Sequence, residues 1–232
     1  MDIKQKITRI NRTLMTKKQN KYIVIHYVGA VSSAKNNANY FYLVNRGASA
    51  HYFVDDKEIW QVVNDCNSSW HCGAKVYFHS ECRNTNSIGI EMCCKKDKNG
   101  KLYISEKTIQ KTIELVKLLM KKYKIDINHV LRHYDVTHKN CPAPFVENEE
   151  LWINFKNRLI EKEEETFEPY LVKIDTNVLN VRAGAGTKYK ITTRVNKGEV
   201  YTVIGEVMNG NTKWLRLKSG VGFISSMYTK RI

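Results

Sequence analysis

The sequence has no apolar run approaching the roughly 20 residues that span a bilayer. No apolar stretch follows the charged start Met1-Asp2-Ile3-Lys4-Gln5-Lys6 either. A cleavable signal peptide is therefore not expected. The expected place of synthesis is the cytoplasm, and any action outside the cell would need release by another agent. There is no CxxC pair. The six cysteines stand at 66, 72, 82, 93, 94 and 141. Without an export signal a disulfide framework is not expected, and all but Cys141 read as small buried hydrophobes. Internal repeats, low-complexity tracts and nucleic-acid-binding motifs are also missing. Acidic residues are scarce, 23 Asp and Glu against 38 Lys and Arg, for a net charge of +15. Part of such an excess is simply a solvated surface. Its functional reading is an anionic polymer or membrane surface as partner, and charge alone does not choose between them.

What is present is an ordinary globular composition, 42% hydrophobic and 26% charged, in 232 residues, enough for a large domain and a small one. The pattern changes near residue 165. Before it, strand-like and helix-like segments alternate. Tyr22 to Val28 reads as a buried strand, Ala34 to Asn45 as a helix, and Ser49–Val54 with Ile59–Val63 as a hairpin. Ser87 to Cys93 is a further strand, in which Cys93 and Cys94 point to opposite faces. Ser105 caps a helix whose apolar face is Ile109, Ile113, Val116, Met120 and Tyr123. His129 to His133 reads as a short strand, and Glu149 to about Glu165 as a last helix. After Pro169 short Val, Ile, Leu and Tyr runs alternate with Gly-containing turns, as in a small all-β barrel. Residues 170–232 hold 11 Lys and Arg against 3 Asp and Glu, so about half of the net charge lies on the shorter segment. The expected organisation is an α+β domain over 1–160, with a mixed β-sheet flanked by helices, a linker over 161–169, and the barrel over 170–232.

The chemistry concentrates in His133-Tyr134-Asp135-Val136-Thr137-His138-Lys139-Asn140-Cys141-Pro142. His26 ends one apolar run, His133 another, and Glu91 lies near the end of a third. Sheets of this kind deliver functional groups at the ends of strands. Two imidazoles and a thiolate would hold one Zn2+ and leave a fourth position free, the arrangement of a catalytic ion. Each residue alone has a plainer reading: a hydrogen-bonded histidine, a core cysteine, a loop lysine, a glutamate in a surface ion pair. A cysteine hydrolase with Cys141 as nucleophile and His133 as base is chemically open as well.

Six segments in order resemble the zinc-dependent N-acetylmuramoyl-L-alanine amidases of phage lysins and bacterial autolysins. They are Tyr22-Ile23-Val24-Ile25-His26-Tyr27, Ala50-His51-Tyr52-Phe53-Val54-Asp55, Trp70-His71-Cys72-Gly73, Asn86-Ser87-Ile88-Gly89-Ile90-Glu91, Arg132-His133-Tyr134-Asp135-Val136 and Lys139-Asn140-Cys141-Pro142. The resemblance covers about residues 8–160. It implies His26, His133 and Cys141 as zinc ligands, Lys139 as the cation facing the oxyanion, and Glu91 as the carboxylate that orients or deprotonates water. Some members carry a catalytic tyrosine where His51 stands here. Tyr52 faces the other way, so the base is expected to be Glu91, with His51 and His71 as substrate contacts and His138 incidental. Leu179-Asn180-Val181-Arg182-Ala183-Gly184-Ala185-Gly186 resembles the bacterial SH3-like domain, which implies wall binding. The implied function is a peptidoglycan hydrolase, of phage or prophage endolysin type, that cuts between N-acetylmuramic acid and L-alanine. Its expected partners are peptidoglycan and the associated anionic wall polymers. A non-catalytic peptidoglycan-binding protein on the same scaffold, and a thiol-dependent wall peptidase using Cys141 and His133, are the alternatives.

Overall fold

A computed structural model describes residues 2–161 and 167–232 and divides the chain into two compact units, 1–161 and 162–232. Most of the expected linker, residues 162–166, lies outside the described residues, as does the expected end of the last helix.

The first unit runs β1 (Ile3–Gln5), β2 (Tyr22–Val31), α1 (Ala34–Tyr42), β3 (Tyr52–Val54), β4 (Ile59–Gln61), β5 (Ser87–Lys96), β6 (Leu102–Tyr103), α2 (Glu106–Tyr123), β7 (Val130–Arg132), α3 (His133–Thr137), α4 (Ala143–Val146) and α5 (Glu149–Ile160). Its sheet has the order β1-β4-β3-β5-β2-β7, with β6 on β5. The pairs β2–β5, β2–β7, β3–β5 and β1–β4 are parallel, while β3–β4 and β5–β6 are antiparallel. This is the mixed sheet expected of an α+β unit.

Strand alternation sorts the side chains onto two faces. Ile23, Ile25, Ile88, Ile90 and Met92 turn to the layer of α2 and α5, where Leu115, Val116, Leu119, Phe155 and Leu159 complete the main core. Tyr22 and Val24 turn the other way, onto Cys72, Cys82 and Val136. Cys93 packs with Ala34, Ala38 and Phe53, whereas Cys94 joins the α2 side. Helix α2 starts where Ser105 Oγ accepts the Thr108 N–H at 3.3 Å and ends on Lys124 in the left-handed region. Its buried stripe is Thr108, Thr112, Ile113, Leu115, Val116 and Leu119. Ile109, Met120 and Tyr123 lie at the edge of that stripe, so the face is rotated from the one read off the spacing.

Several boundaries differ from expectation: β2 and β5 run on to Val31 and Lys96, and the hairpin strands shorten to Tyr52–Val54 and Ile59–Gln61. Helix α1 ends at Tyr42, short of Asn45. His133 opens α3 instead of closing a strand, because the Asp135 carboxylate accepts the Arg132 N–H at 2.7 Å and turns the chain.

The second unit contains β8 (Tyr170–Ile174), β9 (Val178–Arg182), β10 (Ile191–Asn196), β11 (Val200–Asn209), β12 (Thr212–Leu217), β13 (Phe223–Ser225) and β14 (Thr229–Arg231). The order is β10-β9-β13-β12-β11-β8-β14, antiparallel throughout. Val172, Ile174, Leu179, Val181, Val203, Leu215, Leu217 and Ile224 form its own core. Gly222 needs its special backbone, with φ of 140° and a would-be Cβ 2.1 Å from the Arg182 carbonyl oxygen.

Candidate metal centre

His26 and Glu91 are direct partners across the parallel β2–β5 register, and Phe53 is the partner of Glu91 on β3. All three lie on the sheet face away from α2. His133 joins them from the first turn of α3, just beyond β7, which also flanks β2. The eight-residue step from His133 to Cys141 is folded back on itself. His138 adopts φ of 58° and its N–H returns to the Tyr134 carbonyl at 2.8 Å, closing α3. The Tyr134 N–H then donates to the Cys141 carbonyl at 2.9 Å, bringing the thiol back beside the histidine.

His26, His133 and Cys141 are buried, and one candidate ligand atom from each lies within 4.8 Å of the others. Cys141 Sγ is 3.6 Å from His26 Nδ1, and the two imidazole centroids are 4.6 Å apart. His133 Nδ1 is buried without a hydrogen-bond partner among the described residues. Such an orphaned nitrogen beside an imidazole and a thiol is what a metal ligand looks like before its ion is counted. Burial, then His71, His133 and Lys139, hold His26 well below the ordinary histidine range. Burial and then Lys139 hold His133 at about 4. Both rings are therefore neutral with a lone pair to give. Burial and then Glu91 push the Cys141 thiol up to about 12; a dication would reverse that by favouring the thiolate. Two nitrogens and one sulfur suit zinc, and three protein ligands leave a position for water or substrate.

A cavity of about 330 Å3 opens over the trio, lined by His26, Tyr27, Phe53, Trp70, His71, Glu91, His133, Lys139 and Cys141 among others. Val28, Phe41, Phe53 and Glu91 are shared with a neighbouring cavity of about 510 Å3 along α1. Burial pushes Glu91 up to about 8, with Lys139 pulling the other way, and its Oε2 is buried and unpaired among the described residues. Lys139 is exposed at the rim.

The cavity thus brings together six of the seven residues singled out from the sequence, and His51 is the exception. It is fully buried and lines neither cavity. Its Nδ1 accepts the Gly89 N–H at 3.0 Å and lies 2.7 Å from Ser69 Oγ, and its Nε2 is 3.1 Å from the Asn67 carbonyl and 2.9 Å from Lys18 Nζ. His51 sits beside Gly89, one alternation back from Phe53 and Glu91, so it is covered by the 65–71 loop and ties that loop to β5. In this position it does not reach the cavity that the other six residues share. Tyr52 faces the α2 side, where its hydroxyl donates to Asp65 at 2.6 Å. His138 is stacked between Phe78 and Tyr134. Sequence reading missed Phe53, Trp70 and Tyr27 in the lining, since aromatic residues carry no signal that separates a cavity wall from a core. A separate cavity of about 480 Å3 in the second unit, lined by Arg182, Trp214 and Tyr228 among others, holds no comparable cluster.

The profile of one family, described as N-acetylmuramoyl-L-alanine amidase, matches residues 16–144, and that of the bacterial SH3 domain matches residues 177–230. The N-acetylmuramoyl-L-alanine amidase CwlL of Bacillus licheniformis is 37% identical over 149 residues, covering 60% of this chain and 40% of that protein. BlyA of Bacillus subtilis strain 168, which bears the same enzyme name, is 35% identical over 153 residues, covering 60% and 41%. The chain thus spans about two fifths of the length of these relatives. Among solved structures, PlyL superposes with a TM-score of 0.58 at 26% identity over 69% of this chain and 98% of that one. The catalytic domain of XlyA gives 0.57 at 27% identity over 68% and 99%.

Proposed function

The chain belongs to the N-acetylmuramoyl-L-alanine amidase family, and from that premise we propose that it hydrolyses the amide joining the lactyl group of N-acetylmuramic acid to the L-alanine of the peptidoglycan stem. The observation that carries the reading is the convergence of His26, His133 and Cys141 within 4.8 Å, on a cavity that also presents Glu91 and Lys139. A zinc ion held by the trio would supply Lewis acidity and an acidified water. The chain's own residues do the rest. Glu91, whose raised carboxyl a bound dication would help to ionise, takes the proton of the attacking water as carboxylate and returns it to the leaving amine. Lys139, at the rim, faces the negative charge that develops on the carbonyl oxygen. Phe53, Trp70 and Tyr27 wall the cavity and limit water around the reacting atoms.

The alternative of a thiol nucleophile is disfavoured by the same geometry. Cys141 is 4% exposed and its thiol is pushed up to about 12, the reverse of an activated cysteine. A purely binding role leaves the orphaned His133 Nδ1 and the raised Glu91 without a purpose. The second unit serves as the wall anchor, and its positive charge suits anionic wall polymers. A tether of this kind raises the local concentration of a hydrolase at an insoluble substrate. No helix among the described residues is long and apolar enough to cross a membrane.

Digestion of purified walls tests the reading. New N-terminal L-alanine without new reducing sugar ends is expected. Complete chelation should abolish it, and zinc should restore it. Activity that survives metal removal but is lost on alkylation of Cys141 would overturn the zinc assignment.

A further inference from the structure

Behind the metal trio a chain of hydrogen bonds runs through residues that the proposed chemistry does not use. Ser87 Oγ lies 2.6 Å from the Arg83 carbonyl and 3.1 Å from His71 Nε2. His71 Nδ1 lies 3.0 Å from His26 Nε2, and the opposite nitrogen of that ring, Nδ1, faces Cys141 Sγ. Ser87, His71 and His26 are 0%, 9% and 1% exposed, so water does not compete for these groups.

The direction of each bond follows from the end of the chain. A carbonyl oxygen only accepts, so the single Ser87 hydroxyl proton goes to Arg83, and Ser87 turns a lone pair toward His71. His71 then carries its proton on Nε2 and offers a lone pair on Nδ1. His26 must place its own proton on Nε2 to meet it, which leaves the His26 Nδ1 lone pair pointing at the cluster. Cys72 Sγ also lies 3.9 Å from Ser87 Oγ, a far longer contact than the 2.6 Å to the Arg83 carbonyl, which remains the preferred acceptor of the hydroxyl proton. Packing holds the middle ring in place. A Cβ on Gly89 would lie 2.5 Å from His71 Cγ, so the imidazole rests directly on the backbone of β5 beside the strand that carries His26.

We infer that His71 is a positioning residue, set by Ser87 and seated on Gly89, which fixes His26 in the one tautomer and orientation that presents Nδ1 to a metal ion. This rests on the proposed metal site, and it reassigns His71 from substrate contact to support of a ligand. A partner on the far nitrogen of a ligating histidine fixes its tautomer and raises its basicity.

Two measurements test it. In the metal-free full-length protein labelled with 15N-histidine, long-range 1H–15N spectra should show both His26 and His71 protonated on Nε2. Protonation of His26 on Nδ1 would overturn the inference, and this readout needs no variant. Zinc affinity by chelator competition is the second. His71→Leu should weaken binding by about 10- to 100-fold. His71→Asn, whose Oδ1 stands near the position of Nδ1 and still accepts from His26, should retain most of the affinity. Circular dichroism of each metal-free variant confirms that it is folded. Equal affinity in a folded His71→Leu, or equal loss in both variants, would sink the positioning role. If the wild-type protein binds no zinc at all, the metal site itself fails, while the tautomer spectra still judge the relay.

Discussion

Glu91 occupies the middle strand of the sheet, directly across from His26, with one carboxylate oxygen buried and unpaired among the described residues. Nothing in the core needs a carboxylate there, so its removal should cost chemistry rather than fold. Glu91→Gln keeps the shape, and it should lower kcat on purified walls by about 10²- to 10⁴-fold with zinc stoichiometry unchanged. A rate close to wild type at saturating wall would remove Glu91 as the base. At this scale the sequence was a partial guide. Imidazole, thiol, carboxylate and ammonium groups are visible as letters, and His26, His133, Cys141, Glu91 and Lys139 do meet at one cavity. What the letters do not carry is direction. His51 and His71 look alike in the sequence, yet one is fully buried behind Ser69 and the other touches His26, because a loop rather than a strand sets each ring's partner.

Elements place these residues, and their stability comes from ordinary packing. Leu119 on α2 is fully buried against the sheet. Leu119→Ala should destabilise the first unit by about 2–5 kcal/mol, read as a shift of the denaturation midpoint; a change below the lower bound would mean that the α2 layer repacks. The start of α2 is braced by Asp56, which accepts from Ser105, from Thr108 at 2.8 Å and from Lys95. Burial alone would raise the Asp56 carboxyl, but the bonds from Lys95, Ser105 and Thr108 outweigh it and hold the group at about 2, against 3.8 ordinarily. A folded-state value below the unfolded one stabilises above about pH 4 and is lost as pH falls toward 2. Wild type should therefore lose stability across that window, and Asp56→Asn should lose distinctly less there, measured by urea unfolding at stepped pH. An identical pH slope in the two proteins would mean that the brace carries no charge-dependent stability. Helix α2 and the β3–β4 hairpin were legible because period and turn residues are local signals. Helix α3 was not, since it depends on Asp135 reaching back to Arg132 after an apolar run that reads as strand to its end.

For the whole molecule the informative quantity is charge. Among the described residues of the second unit, the ion pairs Lys213–Glu206 and Lys230–Asp175 use only a small part of its basic residues. Lys173, Lys197 and Lys230 border one shallow cavity there, with Asp175 the one acid among them. Exposed charges act over a Debye length, about 10 Å at 0.1 M salt and about 3 Å at 1 M. Retention on intact walls should accordingly fall steeply between these salt concentrations. On walls stripped of anionic polymers it should be weaker at low salt and nearly flat. Replacing Lys173, Lys197 and Lys230 together by Glu should reproduce that flat profile on intact walls, while hydrolysis of a small soluble muropeptide stays at the wild-type rate, because the cavity of the first unit contains none of these residues. Salt-independent retention of the wild type would show that the anchor works by contact with neutral wall components and that its positive charge serves something other than adhesion.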